Sequence, residues 1–249
     1  MDDWWRTTAE VLGSDYERVY RLDLESSRRE VDAVLSMSGA KPGASVLDLC
    51  CGVGRHAVEF VRQGFEVTGL DISPTFLDVA RQKAVQAGVQ VTWVEGDMRD
   101  IPFEDRFDLV VNLFGAWGYF DTDAENEQVF RCVARALRKG GRFLLDFFNH
   151  DWIIRHFQPF ACWEASGLHC LEKRHFDIYT GRHETTLVII DESGNRREVN
   201  MSVRGYTFVE IKAMLERAGL HVLEAYGDYD RRPFSLETPR LIILAAKPD

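Results

Sequence analysis

Val46-Leu-Asp-Leu-Cys-Cys-Gly-Val-Gly-Arg-His-Ala57 is the stretch of this chain best suited to chemistry, because a buried-strand pattern runs into a glycine turn and then a helix. In such a turn Gly52 and Gly54 let the backbone approach a ligand closely, and the helix start presents unpaired N–H groups to it. The spacing meets G-x-G-x-x-A, and Asp71 closes the next apolar run, so a dinucleotide fingerprint is formally satisfied. Two further carboxylates point to another ligand. Asp48, just upstream of Gly52, suits a bound ammonium and repels a pyrophosphate; Glu95-Gly-Asp97-Met98 places a carboxylate and backbone N–H groups where they can read an adenine edge. With Asp71 on ribose hydroxyls, the set describes a zwitterionic nucleoside without phosphates.

The elements that must hold these residues follow from periodicity. Apolar runs at Ser45–Leu49, Phe65–Leu70, Val89–Glu95, Phe107–Asn112 and Gly141–Phe148 alternate with helical segments, the βαβα pattern of a parallel sheet covered on both faces. The helices are punctuated: Arg55 to Gln63 ends at Gly64, Ser73-Pro74 opens one that ends at Gly88, and Thr122-Asp-Ala-Glu125 is a capping box for one expected to reach Gly140. Residues 1–40 read as helices carrying Trp4, Trp5, Tyr16, Val19 and Tyr20, with a cap at Ser27-Arg-Arg-Glu30, forming a lid or packing layer. From 161 to 205 the period changes to two, with turns at Thr180-Gly181 and Ser193-Gly194-Asn195, an antiparallel insertion. After it Thr207-Phe-Val-Glu210 caps a helix, and strands at Leu220–Tyr226 and Leu241–Ala246 close the chain. The expected organisation is one domain over 1–249: helices at 1–40, a cofactor-binding core at 41–150, the insertion at 161–205, and the rest of the core at 206–249.

Through Val46-Leu-Asp-Leu-Cys-Cys-Gly-Val-Gly-Arg-His, Val67-Thr-Gly-Leu-Asp-Ile-Ser, Glu95-Gly-Asp-Met and Phe107-Asp-Leu-Val-Val-Asn, in that order, the sequence resembles the class I (Rossmann-like) S-adenosylmethionine-dependent methyltransferases. The resemblance covers roughly 45–148 and resumes at 206–246. It implies a doubly wound, mostly parallel seven-stranded α/β sheet with an antiparallel last strand, S-adenosylmethionine as methyl donor and S-adenosylhomocysteine as product. It also implies that Asp48 holds the methionine amino group, Gly52 and Gly54 pass beneath methionine and ribose, and Asp71 takes the ribose hydroxyls. Ile72 and Met98 would border the adenine, Asp97 would accept from its amino group, and Asn112, Leu113 and Phe114 would border the sulfonium. Cys50-Cys51 departs from the Gly-Cys or Gly-Ser of many relatives, so a bulkier loop is expected where Cys50 meets the cofactor. Tyr16 and Tyr20, one helical turn apart, divide between core and lid over the cofactor.

The acceptor is less legible. Phe107–Asn112 leads into Leu-Phe-Gly-Ala-Trp-Gly-Tyr119 and not into the Asn/Asp-Pro-Pro-Tyr/Phe signature of enzymes that methylate exocyclic amines. Phe114, Trp117, Tyr119 and Phe120 offer an aromatic wall or pack on the following helix. A net charge of −10 disfavours nucleic acid. His150, Tyr206 and Arg204 are the candidate catalytic residues, and Trp152, Trp163, Arg204 and Tyr206, with the N-terminal helices, are expected to line the acceptor pocket. Trp4 and Trp5 read more readily as packing residues. The insertion is also an expected homo-oligomer contact. Five cysteines without paired spacing point to neither a disulfide framework nor a metal site and suit a reducing cytoplasm. No apolar run reaches membrane-spanning length. The reading is methyl transfer to an N or O atom of a small organic molecule, against a protein or RNA methyltransferase and a nicotinamide-dependent oxidoreductase or non-catalytic nucleotide-binding module.

Overall fold

The structure, a computed structural model, describes residues 4–249. Helices α1 (Trp4–Leu12), α2 (Tyr16–Val19) and α3 (Leu24–Ser38) precede an alternation of β1 (Ser45–Leu49), α4 (Arg55–Arg62), β2 (Glu66–Asp71), α5 (Pro74–Ala87), β3 (Thr92–Glu95), β4 (Phe107–Asn112), α6 (Asp123–Ala136) and β5 (Leu137–Phe148). After α7 (His150–Arg155) come β6 (Phe160–Ala165), β7 (Leu168–Asp177), β8 (Arg182–Ile190) and β9 (Arg196–Arg204), then α8 (Phe208–Arg217), β10 (His221–Tyr226) and β11 (Arg240–Ala246). The main sheet has the order β10-β11-β5-β4-β1-β2-β3; its pairings are parallel except those of β11, which runs antiparallel to both neighbours. β2 and β4 therefore flank β1 on opposite sides, and the chain leaves the carboxyl end of the sheet in opposite directions there, which opens the crevice where ligands bind in such folds. β6 to β9 form a separate antiparallel sheet.

Local chemistry explains most element ends. Ser73, Thr122 and Thr207 each accept a backbone N–H three residues on, and the last two complete reciprocal capping boxes with Glu125 and Glu210. Three expectations change. The cap of α3 is Asp23, reciprocated by Ser26, so Ser27 and Glu30 lie inside the helix and Glu30 is free for another role. α6 stops at Ala136 rather than Gly140, and β5 begins at once, already paired at Leu137 with Phe107. β3 spans only Thr92–Glu95, since it pairs with β2 only from Thr68 onward.

Trp93 of β3 packs directly against the glycine turn and against β2. A Cβ on Gly54 would stand 2.6 Å from the Trp93 ring and 2.8 Å from Cβ of Ala80, and one on Gly69 2.5 Å from the same ring. Gly54 also has φ +74°, whereas Gly52, at φ +52°, has open space at its Cβ position. Gly54→Ala is therefore expected to cost about 3 kcal/mol, lowering the melting temperature by roughly 6–12 °C, and Gly52→Ala only the backbone strain of about 1 kcal/mol. Equal melting temperatures for the two variants would refute this division.

Candidate active site

At the carboxyl edge of β1, β2, β4 and β5 the elements enclose a cavity of about 630 Å³, within the range of small-molecule sites. On one side Cys50, Gly52, Asp71, Ile72, Asp97 and Met98 line it. Asp71 is fixed by its neighbours: Gly52 N–H donates to Oδ2 at 2.8 Å and Ser73 N–H to Oδ1 at 2.9 Å. Each oxygen keeps a lone pair for a further donor. Burial raises the Asp71 pKa, and the backbone N–H bonds work against that rise. Asp97 is held differently, because the Arg99 guanidinium reaches both of its oxygens (2.6 to 3.2 Å) and the Arg99 N–H reaches Oδ1 at 2.8 Å. Burial works to raise Asp97, but the Arg99 bonds outweigh it and hold the carboxylate below its ordinary range. Cys50 takes up the crowding in the loop with a left-handed backbone, φ +61°. Burial pushes the Cys50 and Cys51 thiols well up, which keeps them protonated and unreactive.

Asp48, Asn112 and Leu113 lie behind this wall instead of on it. Leu113 packs into the apolar cluster around Val46 and Val111. Asp48 Oδ2 and Asn112 Oδ1 are buried without a hydrogen-bond partner, and so is Nη2 of Arg55, the first residue of α4. Burial, against the pull of the Arg55 charge and helped by Asp71, raises Asp48 to about 7. Arg55 Nη1 donates to Glu30 at 2.5 Å, and His56 Nε2 lies 2.7 Å from the same oxygen. Burial works to raise Glu30, but the His56 and Arg55 interactions outweigh it and bring the pKa down to about 2. Burial lowers His56 to about 4, which makes it a poor proton acceptor near neutrality. Orphaned buried polar atoms are costly. Two acceptors and one cationic donor are thus left unpaired at the ends of β1 and β4 and the start of α4.

The roof comes from segments far apart in sequence. Trp4, Trp5, Thr8, Tyr16 and Tyr20 face the cavity from α1, α2 and the turn after it, and Met201 and Val203 from β9. The two tryptophans are thus wall residues rather than remote packing: Trp5 stacks on Tyr119 with ring centroids 6.5 Å apart and Trp4 meets the same ring edge-on at 4.7 Å. The loop after β4 divides its aromatics. Phe114, Tyr119 and Phe120 line the cavity, while Trp117 is fully buried against Phe130 and Tyr206, its indole donating to the Asn126 carbonyl at 3.0 Å.

The expected acceptor residues lie elsewhere. Tyr206 is fully buried, donating to Asp123 at 2.6 Å and accepting from Asn126 at 3.1 Å. Arg204 stacks on Tyr206 and bonds Glu210 at 3.1 Å. The Trp163 indole ties the insertion to the Val19 carbonyl at 2.9 Å, and Trp152 stacks on His156. His150 does not line the cavity either; its Nδ1 sits 3.0 Å from Nε2 of His183, whose ring meets Phe148 edge-on, and burial lowers the pKa of both histidines. Reading the sequence missed Arg182. This buried arginine of β8 donates to the carbonyls of Phe120 (3.1 Å) and Tyr119 (3.2 Å) and so fixes the aromatic wall to the insertion. A single arginine without a motif gives no signal in a sequence.

Known proteins resemble this chain in sequence and in fold. The pattern described as a methyltransferase domain matches residues 46–141, the stretch that builds the glycine turn, Asp71 and Asp97. The putative methyltransferase YqeM of Bacillus subtilis (strain 168) is 27% identical over 219 residues, 81% of this chain and 83% of that protein. The CcbJ methyltransferase of Streptomyces caelestis superimposes with a TM-score of 0.84 at 21% identity, over 100% of both chains. The chain carries a methyltransferase domain on the fold of S-adenosylmethionine-dependent methyltransferases of known structure. A third relative, the 2-phytyl-1,4-naphtoquinone methyltransferase of Nostoc sp. (strain PCC 7120), is 30% identical over 153 residues, 59% of this chain and 65% of that enzyme. Among the described residues no helix is long and apolar enough to cross a membrane and no cluster of metal-ligating side chains occurs.

Proposed function

We propose that this chain transfers a methyl group from S-adenosylmethionine to a small organic molecule, with the donor's adenosine end over β2 and β3 and its methionine end over β1 and β4. Asp71 takes the ribose hydroxyls on its two remaining lone pairs, and Ile72 and Met98 border the adenine. Asp97 accepts from the adenine amino group on lone pairs that Arg99 leaves free. Asp48 and Asn112 accept from the methionine ammonium, and Arg55 binds its carboxylate. The donor supplies a methyl group on a sulfonium, which leaves as a neutral thioether that keeps the bonding electron pair. What the chain adds is alignment: Phe114, Tyr119 and Tyr20 confine the space beside the sulfonium and exclude water from it.

The observation that carries the small-molecule reading is the cavity of about 630 Å³ roofed by aromatic side chains of the N-terminal helices, a size that suits a small ligand. The 2-phytyl-1,4-naphtoquinone methyltransferase supports it, since the compound in its name is a small organic molecule. The test is transfer of tritiated methyl groups from S-adenosylmethionine into a cell extract separated by size. Label is expected in a new compound below about 1 kDa, resolved by chromatography from unreacted S-adenosylmethionine, at the scale of a ligand that fits such a cavity; transferred label found only in protein or RNA overturns the reading.

A further inference from the structure

The cavity is electrically lopsided. Asp71 and Asp97 stand on its β2–β3 side, and Arg240, first residue of β11, is the one cationic side chain lining it among the described residues. Arg240 pairs with Phe148 of β5 across the sheet and shares its end of the cavity with Pro239. Nη1 alone makes both of its bonds to Asp146, at 2.8 and 2.7 Å. Asp146 is fully buried and also accepts from the Tyr229 hydroxyl at 2.8 Å and the Phe114 N–H at 2.9 Å. One corner of the guanidinium therefore makes these hydrogen bonds while the Tyr229 and Phe114 rings lie 5.1 and 5.9 Å from its carbon, and neither Nε nor Nη2 has a hydrogen-bond partner among the described residues. Its side chain remains 28% exposed. Burial works against the charge, but Asp146 outweighs it and keeps Arg240 more firmly protonated than an ordinary arginine.

We propose that the methyl acceptor is a flat, mostly apolar molecule bearing an acidic hydroxyl, seated with its oxyanion on the free edge of Arg240, and not an amine. This rests on the small-molecule reading above. An amine must shed its proton before it can attack, and its charged form is repelled by the guanidinium. A phenol or enol gains instead: the cation draws it toward its anion, the released proton passes to water, and the oxygen lone pair becomes the nucleophile. An oxyanion is attracted to the donor's sulfonium as well. Tyr119, Phe120 and Phe148 supply aromatic faces for the ring. With the acceptor already ionised, no histidine is required in the cavity, which agrees with His150 standing behind Phe148.

The test uses three fluorescent probes, 7-hydroxycoumarin, its methyl ether and 7-aminocoumarin, titrated at pH 8 into protein saturated with S-adenosylhomocysteine. The hydroxyl probe is expected to bind at least about tenfold tighter than the other two, one charge-assisted hydrogen bond's worth, and its fluorescence to report the anion in the site. Arg240→Lys is expected to keep most of the preference and Arg240→Gln to abolish it. Because Arg240→Gln strands a buried carboxylate, the double variant Arg240→Gln with Asp146→Asn is measured beside it and is expected to lose the preference equally. Equal or tighter binding of the amine or ether by wild type overturns the inference. So does a tenfold loss of S-adenosylhomocysteine affinity in Arg240→Gln with the hydroxyl preference intact, which would assign the guanidinium to the donor's carboxylate. Failure of all three probes to bind counts against the small-molecule reading itself and brings the inference down with it.

Discussion

Asp71→Ala is expected to weaken S-adenosylhomocysteine binding by roughly a hundredfold to ten-thousandfold, the loss of two charge-assisted hydrogen bonds of about 1.5–3 kcal/mol each. The geometry makes the effect this large. Both oxygens are already clamped by the N–H groups of Gly52 and Ser73, so the remaining lone pairs are aimed without further loss of side-chain entropy. Truncation also leaves those two N–H groups unpaired in a buried loop. Asp71→Asn separates the contributions, since it keeps the volume but turns one acceptor into a donor, and an intermediate loss is expected. Calorimetric titration of wild type and both variants, with NAD in parallel, is the measurement. Affinity within threefold of wild type for Asp71→Ala would remove this residue from the site, and tighter binding of NAD than of the sulfur nucleoside would contradict the ligand chemistry read from Asp48.

The second large effect is a pH dependence. In the protein without its donor, burial holds Asp48 at about 7, so near and below neutrality the group carries a proton that it must release to accept from an ammonium. Affinity for S-adenosylhomocysteine is therefore expected to be flat above pH 8 and to fall by about tenfold for each unit below pH 7. At pH 6 binding should release close to one proton, seen as a dependence of the binding heat on the buffer's ionisation enthalpy. Stability runs the other way. A carboxyl whose folded pKa is raised contributes fully below its unfolded value of 3.8, and that contribution is lost as pH rises through about 7. Asp48→Asn is thus expected to melt higher than wild type at pH 8 while binding the donor weakly and without pH dependence. Lower stability of this variant at pH 8, or retention of the pH profile, would show that the ionisation belongs to another group.

How much of this was readable in advance depended on whether a residue's role is local. The glycine turn, Asp71 and Asp97 sit at strand ends, where hydrophobic period and turn chemistry fix position, and the capping boxes at Thr122 and Thr207 concern only four residues each. The α3 cap was misplaced because Ser27-x-x-Glu30 fits the capping-box pattern as well as Asp23-x-x-Ser26 does; the choice was made by a contact across the fold, Glu30 with Arg55 and His56. The arginines were invisible for the same reason. Arg99, Arg182 and Arg240 act through partners that are distant in sequence or set by loop shape, and no spacing announces them. Tyr206 and Arg204 misled because they fall at the end of an alternating strand, where sequence shows that a residue is special without showing whether it faces a ligand or a neighbouring helix.

The roof carries a cost in time. Arg197 of β9 donates to the Val11 carbonyl across 186 residues of chain, and Leu12 and Val19 share one apolar cluster with Leu187 and Val199. During synthesis the N-terminal helices leave the ribosome long before the strands that cover them, by roughly 10–40 s at ordinary elongation rates. Over that interval the apolar helix face at Leu12 and Val19 lacks its partners on β8 and β9, so this end of the chain is where a nascent polypeptide would most need shielding from its neighbours.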